Sequence, residues 1–79
     1  MQDFFFIKQY QKCLDIETRV VGHEHPDVAS SKHNLGLVHK EMGKLSEAKQ
    51  LFTEAAEIRR KVLSADHHLT KKSEKLAAT

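Results

Sequence analysis

Six histidines in 79 residues are the first feature of this sequence that could do chemistry. His23 and His25 lie in one short segment, and His67 and His68 lie in another. Zinc would accept such nitrogens if four of them converged. No Cys or carboxylate is spaced to complete a site, so the expectation is no metal. Ser, His and Asp are all present, yet no strained elbow or Gly-rich phosphate loop holds them. The sequence therefore reads as non-catalytic and free of cofactors. His39 falls on an inward-facing stripe and reads as a core residue. Cys13 also falls on an apolar stripe and reads as a small hydrophobe.

The totals narrow the classes further. A chain of 79 residues has room for one small domain, and its margin of stability is thin. Thirteen Lys and Arg against eleven Asp and Glu give a net charge of +2. A nucleic-acid binder would carry basic residues in excess and on one face. A lone Cys13 forms no internal disulfide and fits a reducing compartment. No apolar run approaches the roughly 20 residues that span a bilayer. Phe4-Phe5-Phe6-Ile7 has neither the basic start nor the small-residue cleavage site of a secretory leader. Together these predict a cytoplasmic protein with no nucleic-acid or membrane partner.

The elements that would position these residues are helices. From about Asp3 to Val21, apolar residues at Phe6, Tyr10, Cys13, Ile16 or Glu17, and Val20 follow steps of three and four, one helical stripe. Gly22 can supply the left-handed residue that ends this helix. In the turn His23-Glu24-His25-Pro26-Asp27, Pro26 suits the first position of a second helix and Asp27 its first turn. That helix runs to about Met42 with Val28, Leu35, Val38, His39 and Met42 inward, and Gly43 stops it. Gly36 in mid-helix costs up to about 1 kcal/mol against Ala, which calls for a close approach by a partner helix. A third helix begins near Ser46 as N-cap and buries Ala48, Leu51, Phe52, Ala55, Ile58 and Val62. Its charged residues, Glu47, Lys49, Glu54, Glu57, Arg59, Arg60 and Lys61, read as a solvated face. Glu57 and Lys61 form an i,i+4 pair in the favourable order. Leu69 to Ala78 can begin a fourth helix, made basic by Lys71, Lys72 and Lys75.

The chain also resembles itself. A shift of 42 positions places Tyr10 on Phe52, Cys13 on Ala55, Ile16 on Ile58, Val20 on Val62 and His25 on His67. A period of this kind points to stacked helical hairpins. Leu35-Gly36, Gly43, Ala48, Phe52 and Ala55 have the spacing of the tetratricopeptide repeat, and the chain resembles that family. Its usual period is about 34 residues. The longer period here, with the turn from Gly22 to Ala29, is similar to the repeats of kinesin light chains. The resemblance implies an all-α fold, about four helices stacked as antiparallel hairpins in a short right-handed solenoid. It divides residues 1–79 into a helix B of a partial repeat at 3–21, a complete repeat at 26–64 and the start of a further helix A at 67–79. Leu35, Gly36, Ala48, Phe52 and Ala55 are the packing residues it implies.

The same resemblance implies a protein–protein interaction module that presents a concave groove to a partner peptide or protein. Carried over by position, the groove residues are Ser30, His33, Asn34, Leu37, Lys40 and Glu41, joined by Lys72 and Lys75. Asn34 resembles an asparagine that holds a peptide backbone through its amide, which offers both a donor and an acceptor. The two lysines favour an acidic peptide. The family's two-asparagine carboxylate clamp is not expected, because only Asn34 and Lys72 fall at suitable positions. The alternative reading is a structural fragment that self-associates through its incomplete first repeat. Phe4, Phe5 and Phe6 support it, since one helix cannot bury three consecutive aromatics.

Overall fold

Two glycines in the left-handed region set helix ends: Gly22 has φ +89° and Gly43 φ +79°. An L-residue with a Cβ is disfavoured there. The computed structural model describes residues 2–78, and the side chains of residues 7–78. It contains four helices, α1 (Gln2–Val21), α2 (Pro26–Glu41), α3 (Leu45–Val62) and α4 (His68–Ala78). No strand occurs among the described residues. No described helix is long and apolar enough to cross a membrane.

The turn into α2 is closed by its own residues. His25 is the N-cap, and its Nδ1 accepts the Asp27 N–H at 3.1 Å. The His25 carbonyl accepts from the Ala29 N–H at 3.2 Å. Forty-two positions on, the arrangement returns: His67 Nδ1 accepts the Leu69 N–H at 3.2 Å, and its carbonyl accepts from Lys71 at 3.0 Å. Each imidazole satisfies one of the orphan amides of a helix start. The glycine does not return with it. Ser64 stands where the shift puts Gly22 and still adopts a positive φ, +149°. At the start of α3 the N-cap is Lys44, with no side-chain cap. Ser46 lies inside the helix, exposed, and is not the cap that its residue type suggested.

Packing runs neighbour to neighbour: α1 lies on α2, α2 on α3, and α3 on α4. The centre is Val28 and Ala29 of α2 against Ala55 and Ile58 of α3, with Leu14 of α1 laid over them. Beside it the second pair crosses closely. Leu35, Gly36, Ala48, Phe52 and Ala55 are all buried. A Cβ built on Gly36 would lie 2.8 Å from Phe52 Cε1 and 3.1 Å from both Cδ1 and Cζ. The missing side chain is what lets the phenyl ring reach the α2 backbone.

The first helix departs from its expected stripe. Cys13 is exposed, Ile16 is 52% exposed and Val20 is 76% exposed. Ile7 is buried, and Leu14, Glu17 and Thr18 are half-buried. The reason is the number of neighbours. A stripe spaced by three and four is buried across its full width only when helices flank it on both sides, as α2 and α4 flank α3, whereas α1 packs chiefly on α2. One flank of the α1 stripe is therefore left in water. Val62, at the last turn of α3, is likewise exposed and not a core residue. The side chains of Phe4, Phe5 and Phe6 lie outside those described.

Candidate protein-interaction surface

Ser30, Asn34, Leu37 and Glu41 recur at four-, three- and four-residue steps along α2, so they share one side of it. Asn34, Leu37, Lys40 and Glu41 are exposed and Ser30 is half-buried. On α4, Lys72 and Lys75 are exposed. The two helices meet where His33 Nδ1 lies 3.0 Å from Ser73 Oγ. Ser73, which makes this contact, directly follows Lys72 in α4.

His33 is not on that surface. It is 5% exposed, set edge-on to the Phe52 ring with centroids 5.2 Å apart. Burial first, then the charges of Arg59 and Lys72, hold its imidazole down at about 4, so it is neutral near pH 7. It shares the side of α2 that carries Leu37 and Lys40, four and seven positions on, but lies buried against α3 and α4.

Arg59 is the larger correction. Among the charges assigned to a solvated face, it is only 4% exposed. Its Nη1 donates to Ser73 Oγ at 2.8 Å and to the Leu69 carbonyl at 3.2 Å, and lies 3.4 Å from His33 Nδ1. Its Nη2 donates to Ser30 Oγ at 3.4 Å. One guanidinium thus ties α3 to α2 and α4. Ser73 accepts from Arg59 and has its own proton to give to His33 Nδ1, which leaves the imidazole proton on Nε2. That Nε2 has no hydrogen-bond partner among the described residues. The signal in the sequence was the spacing: Arg59 continues the buried series Ala48, Phe52, Ala55 by four.

Three other basic residues have carboxylate partners. Lys32 meets Glu54 at 3.1 Å, Arg60 pairs with Glu74 at 2.5 Å, and Lys61 lies 3.6 Å from Glu24. The histidine turns offer capping rather than chelation, with His67 and His68 stacked at 4.6 Å. Among the described residues no group of three or more His, Cys, Asp or Glu could hold a metal ion.

Helical hairpins with a glycine–aromatic crossing, capped by repeated turns, define a helical-repeat protein. Residues 7–61, more than half the chain, match the family model described as the tetratricopeptide repeat. The chain belongs to the tetratricopeptide-repeat family, a non-catalytic repeat scaffold whose repeats generally mediate protein–protein interaction. No curated protein matches it.

Proposed function

We propose that this chain is a protein–protein interaction module whose α2 and α4 present a groove to an extended partner peptide. The observation that supports the reading is the exposure of Asn34, Leu37, Lys40 and Glu41 on α2 and of Lys72 and Lys75 on α4, two helices joined by the His33–Ser73 contact. The side chains between these two rows are buried and hydrogen-bonded, so the strip has a fixed floor. The Asn34 amide would pair with the backbone of the peptide, which in extended form has unpaired donors and acceptors. Lys72 and Lys75 favour acidic residues in it. The 42-residue period and the capped turn favour a member of the kinesin-light-chain-like type, with α2–α3 as its complete repeat. A peptide-array screen repeated with Asn34→Ala tests the groove. Binding should weaken across the selected peptides, and unchanged binding would remove Asn34 and this strip from the account.

A second reading, self-association, is favoured by one observation: Cys13, Ile16 and Val20 leave an apolar flank of α1 exposed. Phe4, Phe5 and Phe6 would extend such a contact. Light scattering separates the two, because a monomer at high concentration leaves the α1 flank without this role.

A further inference from the structure

The internal shift of 42 carries α1 onto α3 and α2 onto α4. Within the molecule α3 lies on α2, and its Ala55 and Ile58 pack on Val28 and Ala29 with Leu14 of α1 laid over them. The counterparts of Ala55 and Ile58 on α1 are Cys13 and Ile16, and both are exposed. The counterpart of the α1–α2 pair, on which α3 sits, is the α3–α4 pair. Those two helices leave open a cleft of about 330 Å³ whose lining includes Ala56, Arg60, Glu74 and Ala77. The chain thus carries an exposed helix face of the α3 type and, elsewhere, an open seat of the type that α3 occupies.

We infer that α1 of one copy seats on α3 and α4 of a second copy, as α3 seats on α1 and α2 of its own chain. This contact rests on the self-association reading above and names its two faces. Four polar contacts hold α3 to α2 and to the turn before it, and under the shift each becomes a pair of opposite charges. Lys32–Glu54 becomes Glu74–Lys12, with the signs exchanged, and Lys61–Glu24 becomes Arg19–Asp66. Arg59, which reaches Ser30 and His33, becomes Glu17, which would reach Lys72 and Lys75. The Phe52 ring beside His33 becomes the Tyr10 ring beside Lys75, a cation at an aromatic. Lys12, Arg19, Asp66, Lys72 and Lys75 are all exposed. Arg60 holds Glu74 through Oε2, which leaves Oε1 for Lys12. Complementary charges of this kind set register and partner choice more than affinity. One position opposes the contact: Lys71 stands where Ala29 packs, so its stem must lie along the incoming helix and its ammonium reach the rim. The two faces differ, so copies add in a row or ring rather than stop at a two-fold pair. In an assembled chain Lys72 and Lys75 are occupied, and in a single copy they are open to the groove.

Light scattering of the full chain over a concentration series reads the association, and the mass should rise past that of a dimer. Arg19→Glu or Asp66→Arg alone should weaken association by about tenfold, as a repulsion replaces an attraction. An equimolar mixture of the two variants should recover it, because each α1 then finds a seat of opposite sign on the other variant. Both positions are exposed, so circular dichroism should show the helix content of the parent chain. Lys71→Ala should move the midpoint of association to lower concentration. A mass that levels off at a dimer, ignores Asp66→Arg, or is not recovered by mixing overturns the α3–α4 seat and leaves self-association standing. A chain that stays monomeric at every concentration removes both.

Discussion

Thr70 shows what a single side chain reveals about the repeat. It is fully buried, as is Val28, its equivalent under the shift of 42, and its hydroxyl has no partner among the described residues. An unpaired buried hydroxyl costs on the order of 1–3 kcal/mol. Thr70→Val keeps the branched shape already used at Val28, so it should raise stability by about 1 kcal/mol, read by chemical denaturation. His33 supplies the pH dependence. Its imidazole is held near 4 when folded, against 6.5 when free. The lowered value means the folded state prefers the neutral ring. Stability from this group is complete above about pH 6.5 and is lost as pH falls toward 4. The loss by pH 4 is on the order of 3 kcal/mol. His33→Gln should flatten the decline between pH 6.5 and 4, and an undiminished decline would place its origin elsewhere.

At the scale of the element, two sites decide how helices begin, end and cross. Gly36→Ala sets a Cβ 2.8 Å from the Phe52 ring in the α2–α3 crossing. Three ring atoms of the buried Phe52 lie within 3.1 Å of that Cβ, so overpacking should cost about 1–3 kcal/mol in denaturant unfolding. Ser64 holds a positive φ between α3 and α4 without being glycine. Ser64→Gly should stabilise by about 1 kcal/mol in the same assay, because a backbone state disfavoured for serine is open to glycine. The helices and this crossing were legible in the sequence. Steps of three and four, Gly22, Gly43 and Pro26 are local signals, and each acts through its own residue. Burial on α1 was not legible, because exposure of Cys13, Ile16 and Val20 depends on how many helices flank it. Arg59 was missed for a related reason: residue type said solvent, while position said seam, and position won. His33 shares a side of α2 with Leu37 and Lys40, and what the sequence did not show is that α3 and α4 close over it.

At the scale of the whole molecule, similar helices are laid side by side so that each one's burial depends on its neighbours. The middle pair, α2 and α3, carries the core and the crossing, while α1 and α4 each cover one flank. Such an arrangement leaves polar residues of successive helices in parallel rows, and a row is a surface that an extended chain can follow. Asn34 and Lys72 belong to two such rows, joined below by His33, Ser73 and Arg59. The claim on which the functional account depends is that a partner lies along these rows. Chemical-shift mapping with the strongest peptide from the array tests it most directly. Perturbations should concentrate at Ser30, Asn34, Leu37 and Lys40 on α2 and at Lys72 and Lys75 on α4. Perturbations confined to the exposed sides of α1 and α3, with α2 and α4 unmoved, would contradict it.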